Sequence, residues 1–135
     1  MPAVSVITPA YNAAEFVAQT IESVRAQTFE DWELVIVDDG STDATTELIE
    51  DYQERDGRIR LLHQANAGPS AARNHAMRAG RGAFFAFLDS DDTWEPEYLE
   101  RQLAIFREYP DTHLVTGVAC YRGGPHDGLP MRPLS

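Results

Sequence analysis

Apolar residues along the chain come in short β-branched runs, separated by longer stretches in which they recur every three or four positions. "AVSVIT", residues 3–8, reads as a buried strand that ends at Pro9. From Ala13 to Ala26, the residues Phe16, Val17, Ile21 and Val24 fall at helical spacing and give one buried face. "ELVIV", residues 33–37, repeats the strand signature and stops at Asp38-Asp39-Gly40. Ser41, Thr42 or Asp43 can cap a following helix, whose Leu48, Ile49 and Tyr52 share one side before Gly57 ends it. "RIRLLH", residues 58–63, is a third strand, and "AARNHAMRA" is a short helix closed by Gly80 and Gly82. "FFAFLDSDDTWEP", residues 84–96, opens with a fourth strand. Pro96 suits the first turn of a helix with Leu99, Leu103 and Phe106 on its apolar face, and "HLVTGVACY", residues 113–121, is a fifth strand.

This alternation predicts an α/β fold with a mainly parallel sheet and helices on both faces. The last stretch, residues 122–135, holds three Gly and three Pro without periodicity and reads as a loop or disordered tail. At 135 residues the expectation is one domain. Acids outnumber bases 22 to 11, giving a formal charge of -11, and every base is Arg. Such a surface repels nucleic acid and anionic membrane, so neither is an expected partner. The single Cys120 cannot form an internal disulfide and fits a reducing compartment. With no signal-peptide pattern at the start and no apolar run of spanning length, the expected location is cytoplasmic, with attachment to a membrane through a partner left open.

In open α/β sheets, ligands bind beyond the carboxyl ends of the strands. That rule selects the loops "TPAYN", "DDGST" and "DSDDT", which together hold five carboxylates. Asp, Ser, Thr and Gly after a strand also make ordinary turns and caps, and "DDGST" fits either role. "DSDD" exceeds what a cap needs. Asp89, Asp91 and Asp92 raise one another's pKa unless a cation offsets the repulsion, and hard oxygen ligands suit Mg²⁺ or Mn²⁺ completed by phosphate and water. The implied ligand is a phosphorylated small molecule.

The first βα turn has no Gly and the chain no Lys, so neither a dinucleotide fingerprint nor a P-loop is present. Tyr11 can instead flank a base, and Asp39 can accept hydrogen bonds from base or ribose donors, although a packed loop aromatic is an equal reading of Tyr11. Arg73, near a helix start, is a candidate for an anion or a plain surface residue. His63, His75, His113 and His126 show no metal-ligand spacing.

Taken together, "VSVITPAYN", "QTFEDWELVIVDDGSTDAT" and "NAGPSAARNHAMRAGRGAFFAFLDSDD" resemble, in this order and spacing, the family-2 inverting glycosyltransferases with the Rossmann-like GT-A fold. The resemblance covers about residues 3–121 and makes 1–121 a nucleotide-sugar-binding domain, with 122–135 as its tail. It implies a nucleotide-sugar donor, most often a UDP-sugar, transferred to an acceptor hydroxyl with inversion. By position, Pro9, Ala10 and Tyr11 border the nucleoside and Asp39 contacts the base. Asp89, Ser90 and Asp91 occupy the DxD site, with Asp89 near the ribose and Asp91 on the metal, Mn²⁺ or Mg²⁺. Arg73 maps to a segment lining the donor site. Asp92 serves behind the metal or caps the next helix.

The chain departs from the family pattern where the general base is expected. That carboxylate lies downstream of the fifth strand, yet only 14 residues follow Tyr121 and Asp127 lacks a matching context. The expectation is therefore the donor-binding half of such an enzyme, truncated or naturally short, whose acceptor is not specified, with a non-catalytic nucleotide-binding module of the same fold as the main rival. A homodimer could cover an open sheet edge. "DSDDT" also fits the nucleophile loop of haloacid-dehalogenase-type phosphatases, but there it follows the first strand and is accompanied by a Lys. A calcium loop from Asp89 to Glu100 fails because Trp94 stands where Gly is required.

Overall fold

The computed structural model describes residues 1–111. The predicted strand over 113–121 and the tail 122–135, with His113, Cys120, His126 and Asp127, lie outside the described residues. Eight elements follow one another: β1 (Val4–Ala10), α1 (Val17–Arg25), β2 (Trp32–Asp38), α2 (Thr45–Arg55), β3 (Ile59–His63), α3 (Pro69–Ala79), β4 (Phe84–Phe87) and α4 (Tyr98–Glu108). The four strands are parallel, in the order β3-β2-β1-β4.

This order follows from the connections. Right-handed crossovers carry the chain outward from β1 to β2 to β3 on one face, and α3 then returns it across the other face to β4. Helices therefore cover both faces of β1 and β2, which are buried along their whole length and are mostly apolar in sequence. On the α3 face, Ile7, Val35 and Val37 pack against Ala72 and Ala76, whose small side chains let the helix approach closely. The reversal of direction lies between β1 and β4, which places the switch point at their carboxyl ends.

Three boundaries differ from the sequence reading. Pro9 lies inside β1, in register with Val37. Ile7 O accepts from Leu88 N, so Pro9, two residues on, turns its hydrogen-less nitrogen to the same side, past the last residue of β4, where no ladder bond is lost. Phe16 is not core: it precedes α1 and is 44 % exposed. Pro96 lies ahead of α4, where a turn from Tyr98 N to Glu95 O leads into the helix.

The amino ends of the strands are tied by a buried carboxylate. Glu33 of β2 accepts from Ser5 Oγ of β1 (2.5 Å), Arg60 Nη1 of β3 (2.8 Å) and the Arg81 amide (2.6 Å). Arg60 also donates to Ala79 O, and Gly82 N donates to Ser5 Oγ. One carboxylate thus joins three strands and the α3–β4 turn. Burial pushes the Glu33 carboxyl up, but the bonds from Ser5, Arg81 and Arg60 together outweigh it and hold the group below the usual carboxylate range. Close approach in the same turn requires Gly82, where a Cβ would lie 2.6 Å from Ser5 N.

Most of the described fold, through Leu99, belongs to one compact unit; a second begins at Glu100 and contains the rest of α4, whose end is closed by Tyr109 N donating to Ile105 O. Among the described residues, no helix is long and apolar enough to cross a membrane.

Two stability outcomes follow. Gly82→Ala should lower unfolding free energy by about 1–3 kcal/mol, because backbone rather than a flexible side chain must yield; denaturant melts of the two proteins measure it. For Glu33, the folded-state pKa lies below the unfolded one, so its contribution is complete above the unfolded value and is lost as pH falls through the folded value. Glu33→Gln should therefore be less stable at neutral pH and show a shallower loss of stability on acidification, read from melts between pH 3 and 7.

Candidate functional site

Three loops meet at the carboxyl ends of β1, β2 and β4; side chains of the first two satisfy each other's backbone groups, and the third is held from α1. In the loop after β1, Asn12 adopts a left-handed conformation (φ 46°), which an Asn tolerates better than most residues. Its Oδ1 accepts from Thr42 N, while Asn12 N donates to Ser41 Oγ and Ala13 N to Thr45 Oγ1. Asp43, not Ser41 or Thr42, caps the start of α2: it accepts from the amide and hydroxyl of Thr45, and also from Ala14 N across the gap. The loops after β1 and β2 are thereby laced together.

Asp38 and Asp39 have separate tasks. Asp38, the last residue of β2, accepts from Ser41 N and Thr46 Oγ1 and closes its own loop. Asp39 is 3 % exposed and reaches the segment ahead of α3, accepting from Gln64 Nε2 (2.8 Å), Ala67 N (2.8 Å) and Gly68 N (3.0 Å). Gln64 is itself oriented by His75, whose Nδ1 lies 3.0 Å from its Oε1. Burial drives the Asp39 carboxyl up, and the Gln64, Ala67 and Gly68 bonds more than offset this, leaving it below the usual range. A carboxylate offers about four acceptor sites, so three bonds leave one for a ligand.

The "DSDD" loop is carried on α1. Thr20 Oγ1 lies 2.7 Å from Asp92 O and 2.9 Å from Ser90 O, and its single hydrogen can serve one of them at a time. Gln27, just past α1, donates to Glu95 O and accepts from Leu99 N. Asp89 pairs with Arg73 of α3, Nη2 to Oδ1 at 2.9 Å, with both side chains part-exposed. Ligand oxygens of Asp89, Asp91 and Asp92 lie within 4.8 Å of one another. Desolvation first, then the charges of Asp91 and Asp89, push the Asp92 carboxyl above its ordinary value. Asp92 is not the cap of α4, which starts at Tyr98.

These loops enclose a cleft of about 600 Å³, within the range of small-ligand sites. Pro9, Ala10, Tyr11, Asp39, Arg73, Asp89, Ser90 and Asp91, all singled out from the sequence, line it. Asn12, Ala13, Phe16, Asn66, Gly68 and Pro69 line it as well and were not singled out. Tyr11 and Phe16 present large aromatic surfaces, 52 % and 44 % exposed, beside the acidic cluster. An apolar wall with a few convergent polar groups can hold a flat ring and a charged group side by side.

Comparison with known proteins agrees with this geometry. Residues 5–133 match the family described as Glycosyl transferase family 2. The chain is 41 % identical over 131 residues to the putative teichuronic acid biosynthesis glycosyltransferase TuaG of Bacillus subtilis, covering 96 % of this chain and 51 % of that protein. The structure of S. aureus TarS 1–349 in complex with UDP-GlcNAc superposes with a TM-score of 0.75 at 33 % identity, covering 82 % of this chain and 32 % of that one. The mannosyltransferase PcManGT from Pyrobaculum calidifontis, in complex with GDP-Man and Mn²⁺, gives 0.71 at 26 % identity, over 90 % of this chain and 36 % of that one. The chain belongs to glycosyl transferase family 2 and has its GT-A fold. It spans about half the length of TuaG and 30 % of EpsH, another relative from B. subtilis. Family membership also removes the phosphatase reading of "DSDDT".

Replacing Asp39 by Ala should strand two backbone amides and the Gln64 side chain, at a cost of about 2–4 kcal/mol in stability. Amide hydrogen exchange at 64–68 should accelerate more than in β1; equal protection in both would contradict the loop-holding role.

Proposed function

We propose that residues 1–121 form a nucleotide-sugar-binding domain, and that the cleft takes a nucleoside-diphosphate sugar, with a UDP-sugar as the first choice, for transfer to an acceptor hydroxyl with inversion. Pro9, Ala10 and Tyr11 border the nucleoside, and Asp39 offers its remaining acceptor site to a base N–H. Asp89 and Ser90 lie toward the ribose, Asp91 holds Mn²⁺ or Mg²⁺, and Arg73 adds positive charge to the donor site.

The observation that carries this reading is the convergence on one cleft of an exposed aromatic, a buried carboxylate with one free acceptor site, a guanidinium and two carboxylates, Asp89 and Asp91, of a three-carboxylate cluster. The ligand chemistry fits a hard divalent cation: every donor in the cluster is a carboxylate oxygen, and Asp91 has no hydrogen-bond partner among the described residues. When bound, such a cation would offset charge developing on the leaving diphosphate. The chain's own residues do the rest of the donor work. Tyr11 and Phe16 shield one side of the cleft from water, and the laced loops hold the acceptors in place before the ligand arrives. TarS with UDP-GlcNAc and PcManGT with GDP-Man and Mn²⁺ support the same class of donor.

Calorimetry with UDP tests the reading. Mn²⁺ should strengthen UDP binding to the wild type, and Asp91→Ala should remove most of that gain, about tenfold or more. UDP binding that is indifferent to metal in the wild type would overturn it. Incubation with UDP-sugar and Mn²⁺ then separates enzyme from binding module: sugar release or transfer supports the former, and tight binding without turnover the latter.

A further inference from the structure

We propose that Arg73 is a built-in counter-ion that masks Asp89 while no cation is present and releases it when metal and diphosphate arrive, so that the two ligands bind as one coupled event. The proposal rests on the donor-site reading above. It starts from an imbalance: three carboxylates can bring oxygens within 4.8 Å, and among the described residues only Asp89 has a cationic partner. Among the described residues, the carboxylates of Asp91 and Asp92 accept no hydrogen bond.

The pair is placed to exchange. Arg73 stands on α3 and Asp89 follows β4, and both side chains line the cleft. Side-chain exposures of 35 % and 48 % leave the contact open to solvent, where an ion pair is weak and easily displaced. A buried pair would be far harder to open. While the contact holds, the guanidinium occupies one Asp89 oxygen and its charge opposes an approaching divalent ion.

A diphosphate changes this balance. Its oxygens match the guanidinium fork at least as well as a carboxylate does. Arg73 thereby gains a second partner on the same cleft, and Asp89 regains its full negative charge next to Asp91. Metal then binds more tightly with nucleotide present than without it, and by linkage nucleotide binds more tightly with metal to the same degree. Asp89 contributes through its charge whether or not its oxygen ligates the ion.

Titration with Mn²⁺ alone, followed by the loss of the free-ion electron paramagnetic resonance signal, tests the idea. Arg73→Gln should bind Mn²⁺ about three- to tenfold more tightly than wild type in the absence of nucleotide, and the mutual strengthening of Mn²⁺ and UDP should shrink by the same factor. Arg73→Lys, which keeps the charge, should return toward the wild-type value; if it follows Gln, charge compensation is not the cause. In an Asp89→Asn background Arg73→Gln should have little further effect, and a persisting effect would overturn the pairing. Unchanged or weaker Mn²⁺ binding by Arg73→Gln, with metal-dependent UDP binding intact in the wild type, defeats this proposal alone. Loss of metal dependence in the wild type defeats the donor-site reading as well.

Discussion

Negative charge collected at one edge of a parallel sheet has to be compensated, and most of the architecture around the cleft follows from how this is done. Asp38, Asp39 and Asp43 are satisfied by amides and hydroxyls: Asp38 closes its own loop, while Asp39 and Asp43 accept from amides of another. The last two carboxylates therefore double as cross-links. Asp89 is met by a guanidinium, and Asp91 is left with no partner among the described residues. The progression from fully satisfied to unsatisfied runs from the buried loops toward the open cleft.

The two ends of the sheet treat buried charge differently. At the amino end, Glu33 is enclosed by Ser5, Arg60 and the Arg81 amide, and every bond serves the fold. At the carboxyl end, Asp39 keeps one acceptor site in reserve after its three bonds. Rigidity at one end allows the other to be shaped by loops alone. In this chain, that division places most of the cleft lining in the connections and the buried tie of Glu33, Ser5 and Arg60 in the strands.

The layout of the sheet was legible in the sequence because strands buried on both faces leave mostly apolar runs, and β1 and β2 are such strands. The site residues were legible as polar clusters where those runs stop. Phe16 was misread because helical periodicity cannot tell an aromatic facing the core from one facing a cleft just ahead of the helix. Pro9 was read as a terminator, and only knowing which neighbouring strand ends early shows why it is tolerated inside β1. Asn12, Thr20 and Gln27 left no local trace. Their decisive bonds reach partners 30, 70 and 68 residues away, and no window along the chain contains both ends. In sequence Asp39 reads as a turn residue or a ligand contact, and its bonds to 64–68 stay hidden because they depend on the sheet bringing two loops together.

Thr20 lies within α1 and Gln27 two residues past its end, where Gln27 Nε2 also donates to Ser23 O, so α1 and its closing turn together set the spacing of both anchors of the "DSDD" segment. The helix thus acts as a ruler between the segment's beginning and its exit toward α4. Inserting or deleting one residue between the anchors would rotate them out of phase by about 100°, and Asp91 would lose its address even though no site residue had changed. Length variation among natural sequences should for this reason be rare between Thr20 and Gln27.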